Sequence, residues 1–295
     1  MPSITPHLWF DKEAVEAAAL YTALFENSRV KRTVTMHDTP GGDADIVTIE
    51  LAGQEFMLLS AGPLFQFNPS ASFLVACSTA DEVDRLWAAL SEGGSALMEL
   101  GEYPFSGRYG WLKDRYGVSW QLMHQPDGPI GQKITPTLMF VGDMAGRAEE
   151  AMGFWTSLFP DAAIGEIARY AGDGPDTAGT VMYAGFTLAG QGFAAMDSAH
   201  EHDFAFNEAV SFIVNCATQE EIDHYWNALS ADPEAEQCGW LKDRFGVSWQ
   251  VVPEGMDAML SDPDAERVAR VTQAVLGMKK FDIAALQAVY EGRGG

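Results

Sequence analysis

Positive charge is scarce in this chain. Eighteen Lys and Arg stand against 42 Asp and Glu in 295 residues, a formal net charge of −24. Nucleic acid and anionic membrane surfaces are bound by clustered cations that displace counterions, so this balance argues against both as partners. The acidic residues are spread along the chain and form no tail. They read as a solvated surface that resists aggregation. Cysteine is scarcer still: Cys77, Cys216 and Cys238. An odd count without a Cys-x-x-Cys pair suggests neither a disulfide framework nor a thiolate zinc site. Cys77 and Cys216 each end an apolar run and read as small buried thiols. No apolar run approaches the ~20 residues of a membrane span. The opening Met1-Pro2-Ser3-Ile4-Thr5-Pro6 lacks the basic-then-apolar pattern of a secretory signal, so a cytoplasmic location is expected. There is no Gly-x-Ser-x-Gly elbow and no phosphate-binding loop. Gly172-Asp173-Gly174-Pro175 is Gly-rich, but it lies between predicted strands rather than at a strand-to-helix turn.

What the chain does have is ordinary globular composition, 47% apolar and 20% charged, in a length that suits two domains. It also has a repeat. Gly110-Trp111-Leu112-Lys113-Asp114-Arg115-Tyr116-Gly117-Val118-Ser119-Trp120-Gln121-Leu122 recurs as residues 239–251, changed only at Phe245 and Val251. Ile4-Thr5-Pro6-His7-Leu8-Trp9-Phe10 matches Ile134-Thr135-Pro136-Thr137-Leu138-Met139-Phe140. Leu51-Ala52-Gly53-Gln54 matches Leu188-Ala189-Gly190-Gln191, and Phe65-Gln66-Phe67-Asn68 matches Phe204-Ala205-Phe206-Asn207. Shared blocks in one order with variable loops between them mark a duplicated fold.

Each copy reads as a short opening strand, a helix, a hairpin at Ala52-Gly53 or Ala189-Gly190, a strand into Cys77 or Cys216, a capped helix, and a last strand. Thr79-x-x-Glu82 and Thr218-x-x-Glu221 are capping boxes. The fold class is therefore α+β, with helices on one face of mainly antiparallel sheets. We expect one module over residues 1–127, a second over 128–253, and a helical extension over 254–295 with two amphipathic helices.

These motifs together resemble the PhnB-like family, often labelled 3-demethylubiquinone-9 3-methyltransferase, of the glyoxalase/bleomycin-resistance/extradiol-dioxygenase (vicinal oxygen chelate) superfamily. The resemblance rests on the Pro-x-Leu-x-Phe opening strand, the Phe-x-Phe-Asn block and the Asp-Arg-Phe-Gly-Val-x-Trp-Gln ending, and it covers both copies. It implies tandem βαβββ modules whose curled sheets form a cup around a small ligand. It also places the superfamily's metal-ligand positions at His7 and Gln121 in copy one, and at Thr137 and Gln250 in copy two. One imidazole, two amides and a hydroxyl include no anionic ligand, so no catalytic metal or other cofactor is expected.

Strand parity supports the same positions. Thr5, His7 and Trp9 share one face, opposite Leu8 and Phe10; Ser119 and Gln121 share another, opposite Trp120. The apolar faces should meet helices and the polar faces should line the cup. The expected ligand-binding set is His7, Trp9, Phe65, Phe67, Gln121, Thr137, Met139, His202, Phe204, Phe206 and Gln250. His7 could act as a general base, but a cup-lining hydrogen bonder is the plainer reading. The amides can only orient a ligand or pair with other groups. The four Phe read either as an aromatic wall or as a cover. Asp114 and Asp243 occur in both copies before a glycine, which favours a structural turn over catalysis. The function expected is binding of a small aromatic or oxygen-rich molecule between the modules, with a superfamily enzyme, metal-dependent or methyl-transferring, as the alternative. A homodimer is left open.

Overall fold

The computed structural model describes residues 3–39, 42–126, 128–172 and 174–293. Met1, Pro2, the boundary residue Asp127 and the loop residue Asp173 lie outside the described residues. Copy one runs β1 (Ser3–Phe10), α1 (Ala14–Leu24), β2 (Arg29–Thr39), β3 (Gly42–Leu51) and β4 (Gln54–Ser60). It continues with β5 (Ala71–Cys77), α2 (Ala80–Leu90), β6 (Ser95–Tyr103), β7 (Ser106–Lys113) and β8 (Ser119–His124). Copy two repeats this as β9 (Ile134–Phe140), α3 (Ala148–Leu158), β10 (Ala163–Arg169), β11 (Val181–Leu188) and β12 (Gln191–Asp197). It ends with β13 (Val210–Cys216), α4 (Gln219–Leu229), β14 (Trp240–Lys242) and β15 (Ser248–Pro253). The expected βαβββ unit is present, and each copy holds two of them, the last shortened by one strand. The tail carries α5 (Met256–Leu260), α6 (Ala265–Gly277) and α7 (Ile283–Tyr290), one short helix more than the two expected. Among the described residues no helix is long and apolar enough to cross a membrane.

Local chemistry sets these elements. In both β-hairpins the central pair has positive φ, 50° and 83° at Ala52-Gly53 and 50° and 76° at Ala189-Gly190. Two positive φ values give the primed turn whose twist matches its strands. Thr79 and Thr218 cap α2 and α4 by accepting from the Glu82 and Glu221 amides. The two glutamates reach back to the amides of Ser78 and Ala217, one residue before each cap.

The strands form two sheets. The seven-stranded sheet has the order β14-β15-β13-β1-β4-β3-β2, and the eight-stranded sheet β10-β11-β12-β9-β5-β8-β7-β6. The first takes four strands from copy one and three from copy two, and the second takes four from each. The joins are antiparallel, β1 on β13 and β5 on β9. Core and sheet divide differently. Phe56 of β4 meets Phe73 of β5 at 5.6 Å, and Phe193 of β12 meets Phe212 of β13 at 5.4 Å, so each copy builds its core between the backs of the two sheets. Tyr21, Trp120, Trp155 and Trp249 are fully buried there. The Phe-x-Phe-Asn blocks interlock where the copies meet. Asn68 Nδ2 donates to the Ala205 carbonyl at 3.0 Å, and Asn207 Nδ2 donates to the Gln66 carbonyl at 2.8 Å. A cavity of about 10 Å³ remains between these blocks, barely the room one water needs.

Asp114 and Asp243 are structural, as their duplication suggested. Asp114 accepts from Tyr21 Oη at 2.6 Å, Trp120 Nε1 at 2.9 Å, and the amides of Tyr116 and Val118. Asp243 accepts from Trp155 Nε1 and Trp249 Nε1, both at 2.9 Å, and from the amides of Phe245 and Val247. Each ties the first helix of its copy to the turn before the last strand. Burial pushes both carboxyls up, while the four donors pull them back.

The two hubs differ in one respect. An asparagine keeps one acceptor oxygen for the two backbone amides and puts an NH2 where the second oxygen was. At position 114 the Tyr21 hydroxyl can turn and accept from that NH2. At position 243 both side-chain partners are indoles, which only donate. Asp243→Asn should therefore cost on the order of 3 kcal/mol and Asp114→Asn roughly half of that, read from urea unfolding of the full chain. Equal losses would contradict this account of the hubs.

Candidate functional site

Strand parity holds. Leu8 and Phe10 enter the core behind β1, which leaves Thr5, His7 and Trp9 on the opposite face. Register then aligns one row across all seven strands of that sheet: Arg32, Thr48, Met57, His7, Ser211, Ser248 and Lys242. The adjacent row holds Thr5, Ile213, Gln250 and Trp240. In the eight-stranded sheet the corresponding rows hold Thr137 beside Ser72 and Ala194, and Thr135, Leu74, Gln121 and Trp111.

The four carried-over positions therefore pair across copies. His7 shares a face with Gln250, and Thr137 shares one with Gln121. His7 and Gln121, expected together in copy one, lie on different sheets, because across the join between copies β1 meets β13 and β9 meets β5. The structure thus offers two faces.

They are not equivalent. On the eight-stranded face the polar groups satisfy one another. Tyr109 Oη donates to Gln121 Oε1 at 2.7 Å, Gln121 Nε2 donates to Ser72 Oγ at 2.8 Å, and Trp111 Nε1 donates to Ser119 Oγ at 2.8 Å. On the seven-stranded face Gln250 Nε2 still donates to Ser211 Oγ at 3.0 Å, but Cys238 stands in the repeat where Tyr109 stands. Three buried polar atoms in the single seven-strand row have no hydrogen-bond partner: His7 Nδ1, Thr48 Oγ1 and Ser248 Oγ. The other unpartnered side chains among the described residues are Gln54 and Gln191, beside the hairpin turns. A buried unpartnered polar group costs about 1–3 kcal/mol, so three in one row call for an explanation.

His7 is 2% exposed. Burial lowers its pKa from 6.5 to about 3, so the ring is neutral at physiological pH. Its edge meets Trp240 at 5.2 Å between ring centroids, and Trp240 meets Trp9 at 6.0 Å. Trp9 in turn contacts Phe65 at 5.1 Å and donates from Nε1 to the Gly62 carbonyl. The tail reaches the same sheet: Arg32 of β2 pairs with Asp257 of α5 and donates to the Asp257 carbonyl at 3.1 Å.

The remaining expected residues divide. Phe65 lies beside the site. Phe67 and Phe206 do not, because they pack on Phe10 and Phe140 at 5.0 and 5.1 Å, on the core side. Phe204 contacts His202 at 4.8 Å, and His202 Nε2 is 2.9 Å from Ser198 Oγ, so both belong to a loop cluster outside these rows. Met139 is buried beside Met196 on the eight-stranded face. Sequence reasoning missed Thr48, Ser248 and Trp240. Thr48 sat in an unremarkable alternating strand. Ser248 and Trp240 sat in the near-identical repeat, where nothing distinguishes them from Ser119 and Trp111.

As a metal site the seven-stranded face is poorly equipped. Its floor supplies one imidazole, hydroxyls and an amide, with no carboxylate in the His7 row. Among the described residues no group of three His, Cys, Asp or Glu could hold an ion.

Comparison with known proteins agrees with this architecture. Residues 2–123 and 132–252 both match the family described as "3-demethylubiquinone-9 3-methyltransferase". Glyoxalase I from Zea mays superposes with a TM-score of 0.52 at 13% identity, over 85% of this chain and 93% of that one. A putative 3-demethylubiquinone-9 3-methyltransferase, PhnB protein, from Bacillus cereus is 40% identical over 41% of this chain and 98% of its own, with a TM-score of 0.39. No curated protein matches.

The buried neutral imidazole has a measurable consequence. The folded pKa of His7 lies below the unfolded value, so between pH 6.5 and about 3 the unfolded chain holds a proton that the folded chain does not. Stability must fall as pH falls through that window, by about 1.4 kcal/mol per pH unit for this group. His7→Gln removes the effect. Its stability relative to the native chain should therefore improve by on the order of 2–3 kcal/mol between pH 7 and about pH 4.5, measured by urea unfolding. Parallel pH profiles for the two proteins would contradict a neutral His7.

Proposed function

We propose, since this chain belongs to the 3-demethylubiquinone-9 3-methyltransferase (PhnB-like) family and has the vicinal-oxygen-chelate fold, that it binds a small molecule on the seven-stranded face without a catalytic metal. The observation that carries the reading is the row of three unpartnered polar atoms on His7, Thr48 and Ser248. A ligand that hydrogen-bonds there would recover what the fold leaves unsatisfied. Trp9, Trp240 and Phe65 supply aromatic area beside them, which suits a flat molecule bearing oxygen.

The role of His7 follows from its burial. A ring that stays neutral is a hydrogen-bonding group for the ligand, and either ring nitrogen can donate or accept according to tautomer. Gln250 is held by Ser211 and keeps its carbonyl oxygen for the ligand. The eight-stranded face, satisfied from within, serves as scaffold. A metal-dependent or methyl-transferring enzyme is the alternative, and no feature of the seven-strand row favours it.

The test is a screen of small aromatic and oxygenated compounds by calorimetry, repeated on two variants. His7→Ala should weaken a hit at least about tenfold, the loss of roughly one good buried hydrogen bond, while Thr137→Ala leaves it unchanged. Dialysis against EDTA should leave affinity unchanged. Affinity that vanishes with EDTA and returns with zinc would overturn the metal-free reading. A larger effect at Thr137 would move the site to the other sheet.

A further inference from the structure

The same Trp and Ser occur in both copies of the repeat, yet they are arranged differently. Trp111 Nε1 donates to Ser119 Oγ at 2.8 Å. The equivalent Trp240 leaves Ser248 Oγ without a partner and places its ring against His7 and Trp9 instead. Adjacent strands hold each pair in the same register, Trp111 opposite Gln121 and Trp240 opposite Gln250. Sequence permits both arrangements of one motif, so the indole has two places to go. In the seven-stranded sheet it stands beside the buried His7 imidazole, whose Nδ1 lacks a partner.

Charge around this face is balanced. Arg32 and Lys242, at the two ends of the row, are paired with Asp257 and Glu208. Arg29 and Lys31, further along β2, are paired with Glu50 and Glu55. Four cations meet four carboxylates. An anionic ligand would find no spare cation among them, and a cationic ligand would find no spare carboxylate. Either ion would lose its hydration without a partner, which is costly in a buried site. The three unpartnered groups are an imidazole and two hydroxyls, each able to donate or accept.

We propose that this face takes an uncharged ring carrying a hydroxyl or carbonyl group, and that the ring enters by moving the Trp240 indole from His7 onto Ser248. The inference rests on the binding face argued above and adds the ligand's charge class and the residue that yields to it. Trp240 occupies the aromatic contact with His7 until a ligand takes it. Its indole N–H then satisfies Ser248, as Trp111 satisfies Ser119, so opening the site forms one hydrogen bond while the ligand forms others.

Phenol, benzoate and benzylammonium share a ring and differ in charge, so they serve as probes. Calorimetry with the full chain at pH 7 should find phenol at least about tenfold tighter than either ion. The indole N–H resonance of Trp240 should shift on phenol addition while that of Trp111 stays in place. Ser248→Ala should weaken phenol several-fold, and Ser119→Ala should not. Benzoate or benzylammonium binding more tightly than phenol would overturn the charge class and leave the binding face standing. A shift of Trp111 with Trp240 unmoved would overturn the indole movement. No binding by any probe up to about 20 mM, where a single ring in a matched site should register, would overturn this inference together with the face it rests on.

Discussion

Antiparallel pairing between the copies is the constraint on which the rest of the structure depends. β1 joins β13, and β5 joins β9. Each sheet is therefore continuous only because strands from both copies complete it, and each concave face draws its residues from both. The cores follow the opposite division, each lying within one copy between the backs of the two sheets. Stability is thus assembled copy by copy, with Asp114 and Asp243 as matching hubs, while the faces opposite the cores are assembled across copies. Each copy thus contributes one core and part of both faces.

That division lets two nearly identical sequences produce two unlike faces. Ser-Trp-Gln occurs in both, flanked by strands of its own copy, and the other copy supplies the next strand along: β9 in the eight-stranded sheet and β1 in the seven-stranded one. Gln121 meets Tyr109 and Ser72 and is saturated. Gln250 meets Ser211 alone, with Cys238 where a tyrosine would complete the network. The His7-for-Thr137 difference brings an imidazole to the seven-stranded face, and Trp240 answers it by leaving Ser248. The unpartnered hydroxyls and imidazole cost the folded chain stability.

Much of this was legible in the sequence. The duplication, the capping boxes, the hairpins at Ala52-Gly53 and Ala189-Gly190, the parity of β1 and β8, and the structural character of Asp114 and Asp243 all follow from residue type and local spacing. Strands β2, β6 and β10 did not stand out, because they are exposed strands at or near the sheet ends with few buried residues to set a period. Partnering was not legible either. Nothing in the spacing of His7 and Gln121 says that β13, rather than β5 of the same copy, flanks β1 on the side away from β4, since long-range pairing is set by topology and not by local pattern. Phe67 and Phe206 were misplaced for a related reason: the loop that carries them turns back under the sheet and locks against its counterpart through Asn68 and Asn207.

Everything proposed here turns on one of the two sheet faces binding the ligand and the other serving as scaffold. A crystal structure of the full chain soaked with a neutral single-ring compound tests it most directly. The account predicts density over the seven-stranded sheet, within hydrogen-bonding distance of His7 and beside Trp9. Density over Thr137 and Gln121 on the eight-stranded sheet, with the His7 face empty, would contradict it.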